Sequence, residues 1–257
     1  MRWGLAGTVL SAAAALLAFA PAAWLAAALA SSSGERLLLA DARGTVWSGS
    51  AVVVLTGGTG SHDASALPGR LHWSLALDGA ALALRARQAC CINGDLRLLL
   101  RPGLGRFRIE LPASTGAIGQ WPAAWLTGLG TPWNTMQPTG SLQLSSPGLT
   151  LESVAGHWLF TGAADLELNA IASRVSTLDV LGSYRVRLQG DAGGSGATLQ
   201  LSTVSGPLQL SGSGQWAASR LRFAGQASAE PGSEPALNNL LNLIGRRQGA
   251  LSLISIG

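Results

Sequence analysis

Arg70-Leu71-His72-Trp73-Ser74-Leu75-Ala76-Leu77-Asp78 alternates apolar with polar or small side chains along its whole length. A period of two is that of a β-strand with one dry and one wet face. The same alternation recurs downstream. Leu82 and Leu84 are set against Arg85, and Leu96, Leu98 and Leu100 against Arg97 and Arg101; Phe107, Ile109 and Leu111 are set against Arg106, Arg108 and Glu110. One face is leucine-rich and the other carries arginine. Upstream, Leu39 to Gly49 leads into Ser50-Ala51-Val52-Val53-Val54-Leu55, a β-branched run that ends in Gly57-Gly58-Thr59-Gly60. No helical pattern separates successive strands, so the segments pair as an antiparallel meander rather than a parallel sheet.

The second half echoes the first. Val46-Trp47-Ser48-Gly49 corresponds to Leu159-Phe160-Thr161-Gly162, and Leu67-Pro68-Gly69 to Val180-Leu181-Gly182, both 113 positions later. Ile92-Asn93-Gly94 meets Val204-Ser205-Gly206 at 112, and Arg106-Phe107-Arg108-Ile109 meets Arg220-Leu221-Arg222-Phe223 at 114. Matches in order at nearly one offset point to a repeat, although any Leu/Gly meander echoes itself to some degree. Each half closes with a short helical piece and a last strand. In the first half these are Trp121 to Leu129 and then Gly140 to Leu144; in the second they are Leu237 to Ile244 and then Gly249 to Leu253. Leu237, Leu240, Leu241 and Ile244 form one helical stripe, with Pro235 in the first turn, Gly245 as the stop, and Arg246 and Arg247 at the negative end of the dipole.

No charged side chain occurs from Trp3 to Ser33. A run of that length exceeds the roughly 20 apolar residues needed to cross a bilayer as a helix. Arg2 and the amino group hold the N-terminus in the cytoplasm by the positive-inside rule and place the rest on the far side. Trp3 and Trp24 fall near headgroup level, and Pro21 near the exit. A cleaved signal ending at Ala28-Leu29-Ala30 before Ser31 is the alternative; the run is longer than the roughly 7 to 15 residues of a signal core, which favours an anchor. The fold expected is therefore mainly β: an N-terminal transmembrane helix followed by an antiparallel, curved, internally duplicated β-sheet domain with one or two short helices. Its parts are residues 1–33 (cytoplasmic tip, anchor and linker), 34–150 (first repeat) and 151–257 (second repeat, continuous with the first).

Of 257 residues 47 % are hydrophobic and only 12 % charged, with 34 glycines, which suits a folded body rather than a disordered one. The net charge of +4 comes from arginine alone, lysine being absent. Cys90 and Cys91 are adjacent, and a bridge between neighbours closes a small strained ring, so two buried thiols or a half-buried pair are expected. His62, His72 and His157 supply no ligand spacing for a metal. There is no Gly-x-Ser-x-Gly elbow, phosphate loop or His-Glu-x-x-His, and the glycines fit hairpins. His62-Asp63 lacks a nucleophile, and Asp165 and Glu167 share a strand face as solvated carboxylates. Nucleic-acid binding needs exposed aromatics interleaved with basic residues and a different compartment. Trp121, Trp125 and Trp133 among Pro122, Pro132 and Pro138 suit either a docking loop or a cap on the open edge of the sheet, the cap being favoured. A single tyrosine and no recurrent aromatic girdle argue against an outer-membrane barrel.

Residues 42–51 (Ala-Arg-Gly-Thr-Val-Trp-Ser-Gly-Ser-Ala), 67–75 (Leu-Pro-Gly-Arg-Leu-His-Trp-Ser-Leu), 206–216 and 237–257 together resemble protein N of the bacterial type II secretion system. The residues that carry this likeness are Gly44, Trp47, Gly49, Pro68, Gly69, Trp73, Gly206, Gly212, Gly214, Trp216 and Gly245. The resemblance implies a non-enzymatic accessory of the inner membrane, without catalytic residues or cofactor. Such a protein supports export of folded proteins across the outer membrane through contacts with other secretion components, in the inner-membrane platform or the outer-membrane secretin. A rival reading is a membrane-tethered lipid-binding β-groove, in which a Leu-lined concave face holds acyl chains while the Arg face stays wet.

Overall fold

A computed structural model describes residues 15–154, 157–191, 196–217 and 220–257, and its alternating segments form one sheet of 16 strands. The first half supplies β1 (Leu37–Gly44), β2 (Ser48–Thr56), β3 (Ala64–Ala66), β4 (Leu71–Asp78), β5 (Ala81–Arg87), β6 (Leu96–Gly103), β7 (Arg106–Leu111) and β8 (Gly119–Pro122). There follow β9 (Thr139–Val154), β10 (His157–Ala172), β11 (Gly182–Gly190), β12 (Gly196–Ser205), β13 (Leu208–Ala217), β14 (Arg220–Ala229), β15 (Arg246–Gln248) and β16 (Leu251–Ile256). The sheet is open, in the order β1-β2-β4-β5-β6-β7-β9-β10-β11-β12-β13-β14-β16-β15, with β3 added to β2 and β8 to β9. Every pairing is antiparallel.

An up-and-down path gives the sheet two unlike margins. The ends of β1, β4, β6, β9, β11 and β13, with the starts of the strands that follow them, lie at one margin, where two to five residues separate each pair of strands. The opposite margin carries longer loops, a 3-10 helix (Ala123–Leu129) and two α-helices. The boundary expected at residues 150/151 falls inside β9, a single strand of 16 residues.

The N-terminal segment departs from the single span expected over residues 3–33. Residues 15–18 are helical, Ala20 and Pro21 are not, and α1 (Ala22–Ser32) begins anew. Proline has no N–H to continue a helix and pushes its predecessor out of the helical region. The freed Ala20 carbonyl accepts the Val46 N–H at 2.9 Å, and Pro21 bridges to Thr45. At 11 residues α1 is about 16 Å long, roughly half a bilayer core. Among the described residues no helix is long and apolar enough to cross a membrane. The part of the expected span on residues 1–14 lies outside the described residues. α1 instead packs on the sheet, with Ala22 buried against Ala51 and Trp73 and with Leu25, Leu39, Ala42 and Leu84 around them. Ser31 and Ser32, expected in a linker, belong to its last turn, their hydroxyls donating to the Ala28 and Leu29 carbonyls.

Two more α-helices, α2 (Trp133–Met136) and α3 (Glu234–Ile244), close the opposite margin. α3 presents the predicted stripe: Leu237, Leu240 and Leu241 are fully buried, and Ile244 packs beside them. Their partners are Leu142, Ile171, Leu181, Tyr184, Leu208 and Ala227. Burial of each leucine contributes roughly 2 kcal/mol. Pro235 sits in the first turn as expected. The helix stops at Gly245 as expected, but the glycine there and the arginines after it serve other needs than a left-handed cap and dipole partners. The Gly245 backbone is extended at φ −169°, and a Cβ there would meet the Leu253 carbonyl at 2.4 Å, so the need is for space. Arg246 and Arg247 form β15, paired with Leu253 and Ser252.

Candidate interaction surfaces

Register assigns each strand residue to a face. Trp73, Leu75 and Leu77 on β4 stand opposite Ala86, Leu84 and Leu82 on β5. From there the same face continues through Leu98 and Leu100, Ile109, Leu151 and Phe160. Beyond β10 it runs through Leu166, Val186, Leu201, Gly212 and Gly225 to Ile254. No strand position on this face from Leu71 to Phe223 bears an acidic or basic side chain. α1 covers it at β1, β2 and β4, and α3 covers it at β9 to β14 near the helix-bearing margin. Between them Leu75, Leu98, Ile109, Leu151, Phe160 and Leu188 remain half-buried.

The other face is ion-paired across strands. Arg97 meets Asp78 at 2.6 Å, Arg101 meets Glu110 at 3.2 Å, and Arg108 meets Glu152 at 2.8 Å. Asp165 and Glu167, expected to be solvated, lie against Arg187 at 3.8 Å and Arg185 at 2.7 Å. Hydrogen bonds to Glu152 and Glu167 hold the Arg108 and Arg185 guanidinium pKa values above the ordinary one. Exposed pairs of this kind add little stability individually, but they fix which face is wet. Burial pushes the Tyr184 phenol up, and its hydroxyl donates to the Leu208 carbonyl at 3.1 Å, so it serves as a core hydrogen bond.

The residues of the family-like pattern are scattered through the fold and serve different needs. Gly44, at φ +89°, turns β1 into β2 where a Cβ would strike the Ser48 carbonyl. Gly49 lies under the Trp73 indole, whose Nε1–H donates to the Val46 carbonyl at 3.1 Å. The Trp47 Nε1–H donates to the Leu17 carbonyl at 2.7 Å. Pro68 offers its carbonyl to the Gln88 amide, and Gly69 follows it in the turn before β4. Gly206, at φ +117°, passes so close to Gly182 that no side chain fits. Gly212 and Gly214 leave room for the Phe223 ring, and the Trp216 ring sits 6.2 Å from that of Phe160. Each of these residues serves its own local turn or packing contact.

Among the described residues no group of three or more His, Cys, Asp and Glu could hold a metal ion. One hollow of about 440 Å³, whose lining includes Thr198, Gln200, Ser213, Gln215 and Arg222, lies on the ion-paired face. Asp63 accepts hydrogen bonds from Asn134 rather than pairing with His62. Trp121 and Trp125 form no exposed loop: they pack on Val53, Leu67 and Cys91, and Trp125 donates to the Ser65 carbonyl. Cys90 and Cys91, expected as thiols, are joined to each other, with Cys90 exposed and Cys91 buried. Their turn pins β8, because the Cys91 carbonyl accepts the Gln120 N–H at 2.8 Å.

Leu77 and Phe107, read as positions on the dry face, are left exposed by the fold, as are Leu104 and Trp158, which sequence patterning did not single out. A signal was present in Pro102-Gly103-Leu104-Gly105, where a large apolar residue occupies a turn between glycines.

A large open antiparallel sheet with one uncharged and one ion-paired face places the protein among single-sheet β modules. The chain belongs to the family of type II secretion system protein N, whose model matches residues 35–253, from the end of α1 to β16. That family consists of accessory components of secretion rather than known enzymes, and membership implies interaction with other components of the same system. Comparison with curated proteins and with solved structures returned no match.

Proposed function

We propose that this chain is a membrane-tethered accessory of the type II secretion system, held in the inner membrane with its N-terminus cytoplasmic and its sheet periplasmic. It acts through protein contacts with the inner-membrane platform or the outer-membrane secretin. The observation that carries this reading is the family match, which runs through nearly all of the sheet. The tether is the uncharged segment ending at Ala20, where the Val46 hydrogen bond and the Pro21 bridge attach it to the first hairpin. Residues 3–20 are at the short end of the roughly 17 to 25 residues that span a bilayer. The packing of Ala22 on Trp73 supports retention, since cleavage before Ser31 removes a piece of the core. Deleting the gene is expected to reduce secretion or to lower the abundance of neighbouring components. Normal export of every substrate with unchanged components overturns the proposal, and Ser31 as the first residue of the isolated protein overturns the tether.

The rival groove is supported by a specific arrangement. Trp121 on β8, which pairs with β9, packs against the cluster that holds Val53 of β2, although β4, β5, β6 and β7 separate those strands in the sheet. Phe160 and Trp216 likewise touch from β10 and β13, which a flat sheet spaces about 14 Å apart. Both contacts support a bend about the uncharged face, leaving a trough suited to hydrocarbon. Lipid extraction from the purified protein tests it: reproducible phospholipid supports the groove, and an empty chain that co-purifies with secretion components rejects it. The repeat is supported by the strand plan as well, since β10, β11, β12, β13 and β14 begin within 115 positions of β2, β4, β5, β6 and β7 in the same order.

A further inference from the structure

We infer that the hairpin margin of the sheet rests on the surface of a phospholipid bilayer with anionic headgroups, so that the strands stand on the membrane. The inference rests on the tether proposed above. Among the described residues the three most exposed large apolar side chains are Leu104, Leu77 and Phe19, at 104 %, 82 % and 75 %. All three lie at this margin: Leu104 in the turn after β6, Leu77 near the end of β4, and Phe19 beside the Ala20–Val46 hydrogen bond. Every exposed aromatic ring among the described residues is there too: Phe19, Trp24, Trp47, Phe107, Trp158 and Trp216. Among the described residues the large apolar side chains exposed at the opposite margin are aliphatic, such as Val180 and Val204.

A row of indole and phenyl rings along one line, at the ends of strands and in register with the entry of an uncharged segment, is the arrangement that settles at the headgroup level. Core packing does not account for it, because none of these rings belongs to the three clusters of buried residues or packs against them. The charge at the margin is complementary to anionic lipid. Arg101 and Arg106 flank Leu104; together with Arg108 they face only Glu110 and Glu152, leaving a cationic surplus. Arg222, near the start of β14, has no carboxylate partner among the described residues. Shallow insertion of tip side chains with guanidinium groups at phosphate level needs no further membrane-crossing element.

The full chain is reconstituted into vesicles of phosphatidylethanolamine and phosphatidylglycerol, with a solvatochromic probe on Leu104→Cys or on Val204→Cys, labelled without reductant so that Cys90 and Cys91 stay joined. Both sites are exposed, so neither substitution disturbs the core. The expected result is a blue shift and quenching by nitroxide-labelled lipid at position 104, neither at 204, and a loss of the 104 signal in Arg101→Gln/Arg106→Gln or in vesicles lacking anionic lipid. A chain that floats with the vesicles while both probes report water overturns the inference and leaves the tether standing. A chain that does not float overturns both.

Discussion

The two halves of the sheet use the same alternating strands but bury them to different depths. In the second half eight buried residues, joined by Ala123 and Leu142 from the first, form one cluster with α3, whose stripe supplies three fully buried leucines. In the first half the buried residues split into two groups of three, one around Trp73 beneath α1 and one around Val53, Leu67 and Cys91 beneath Trp121 and Trp125. The difference lies in the lid. A leucine stripe fills the space over a sheet from above, whereas α1 offers alanine at its contact, so an indole from the sheet must rise to meet it. Alternation sets which face is dry, and the covering element sets how dry it becomes.

The strongest way to break this comparison is Trp73→Ala, which removes the filler of the α1 contact together with its hydrogen bond to Val46. A loss of about 3 to 5 kcal/mol is expected in urea denaturation, with faster amide exchange in β2 and β4 than in β13 and β14. Leu240→Ala is expected to cost about 2 to 5 kcal/mol with the exchange pattern reversed. If both variants loosen all strands equally, the two lids are coupled through the continuous sheet and the halves are not separate in stability. Gly212→Ala sharpens the second-half packing: its Cβ would stand 2.4 Å from the Phe223 ring. Displacing that ring is expected to cost about 1 to 3 kcal/mol, read as a lower urea midpoint. Ala170→Gly goes the other way, because Ala170 holds φ +49° at the irregularity between β10 and β11. Relieving it is expected to raise stability by up to about 1 kcal/mol in the same titration.

The smallest effect is expected at the first-half edge. Hydrogen bonds from Arg43 and Arg70 hold the Asp41 carboxyl below its usual pKa. Its contribution to folding is complete above about pH 4 and disappears as pH falls through the lower folded value. Asp41→Asn should leave the urea midpoint near neutral pH almost unchanged and flatten its decline in acid; an identical acid limb in both proteins rejects that role.

Most strands were legible because a half-wet sheet writes its period directly into side-chain polarity, as Leu71 to Leu77 shows. The α3 stripe was legible for the same reason at the helical period. The segment Ala22–Ser32 was not, because an uncharged alanine-rich helix looks alike whether it packs on protein or lies in lipid. Only Pro21 hinted at the break. Gly245 was assigned the right position and the wrong cause, since close approach to the Leu253 carbonyl depends on a partner in another strand that local patterning does not contain. The Cys90–Cys91 bond was set aside on ring strain, although the turn between β5 and β6 places the two sulfurs in contact. Of the surfaces, the uncharged face was readable strand by strand. The hairpin margin was not, because it exists only once the turns are aligned.

β15 brings a consequence for how molecules meet in concentrated solution. It is three residues long and two of them are arginines, and it shields Leu251 to Leu253 of β16 from incoming backbone. A second molecule trying to extend the ladder there finds few amide partners and two positive charges. Growth of this chain into fibres is therefore discouraged at its last strand by an element of only three residues.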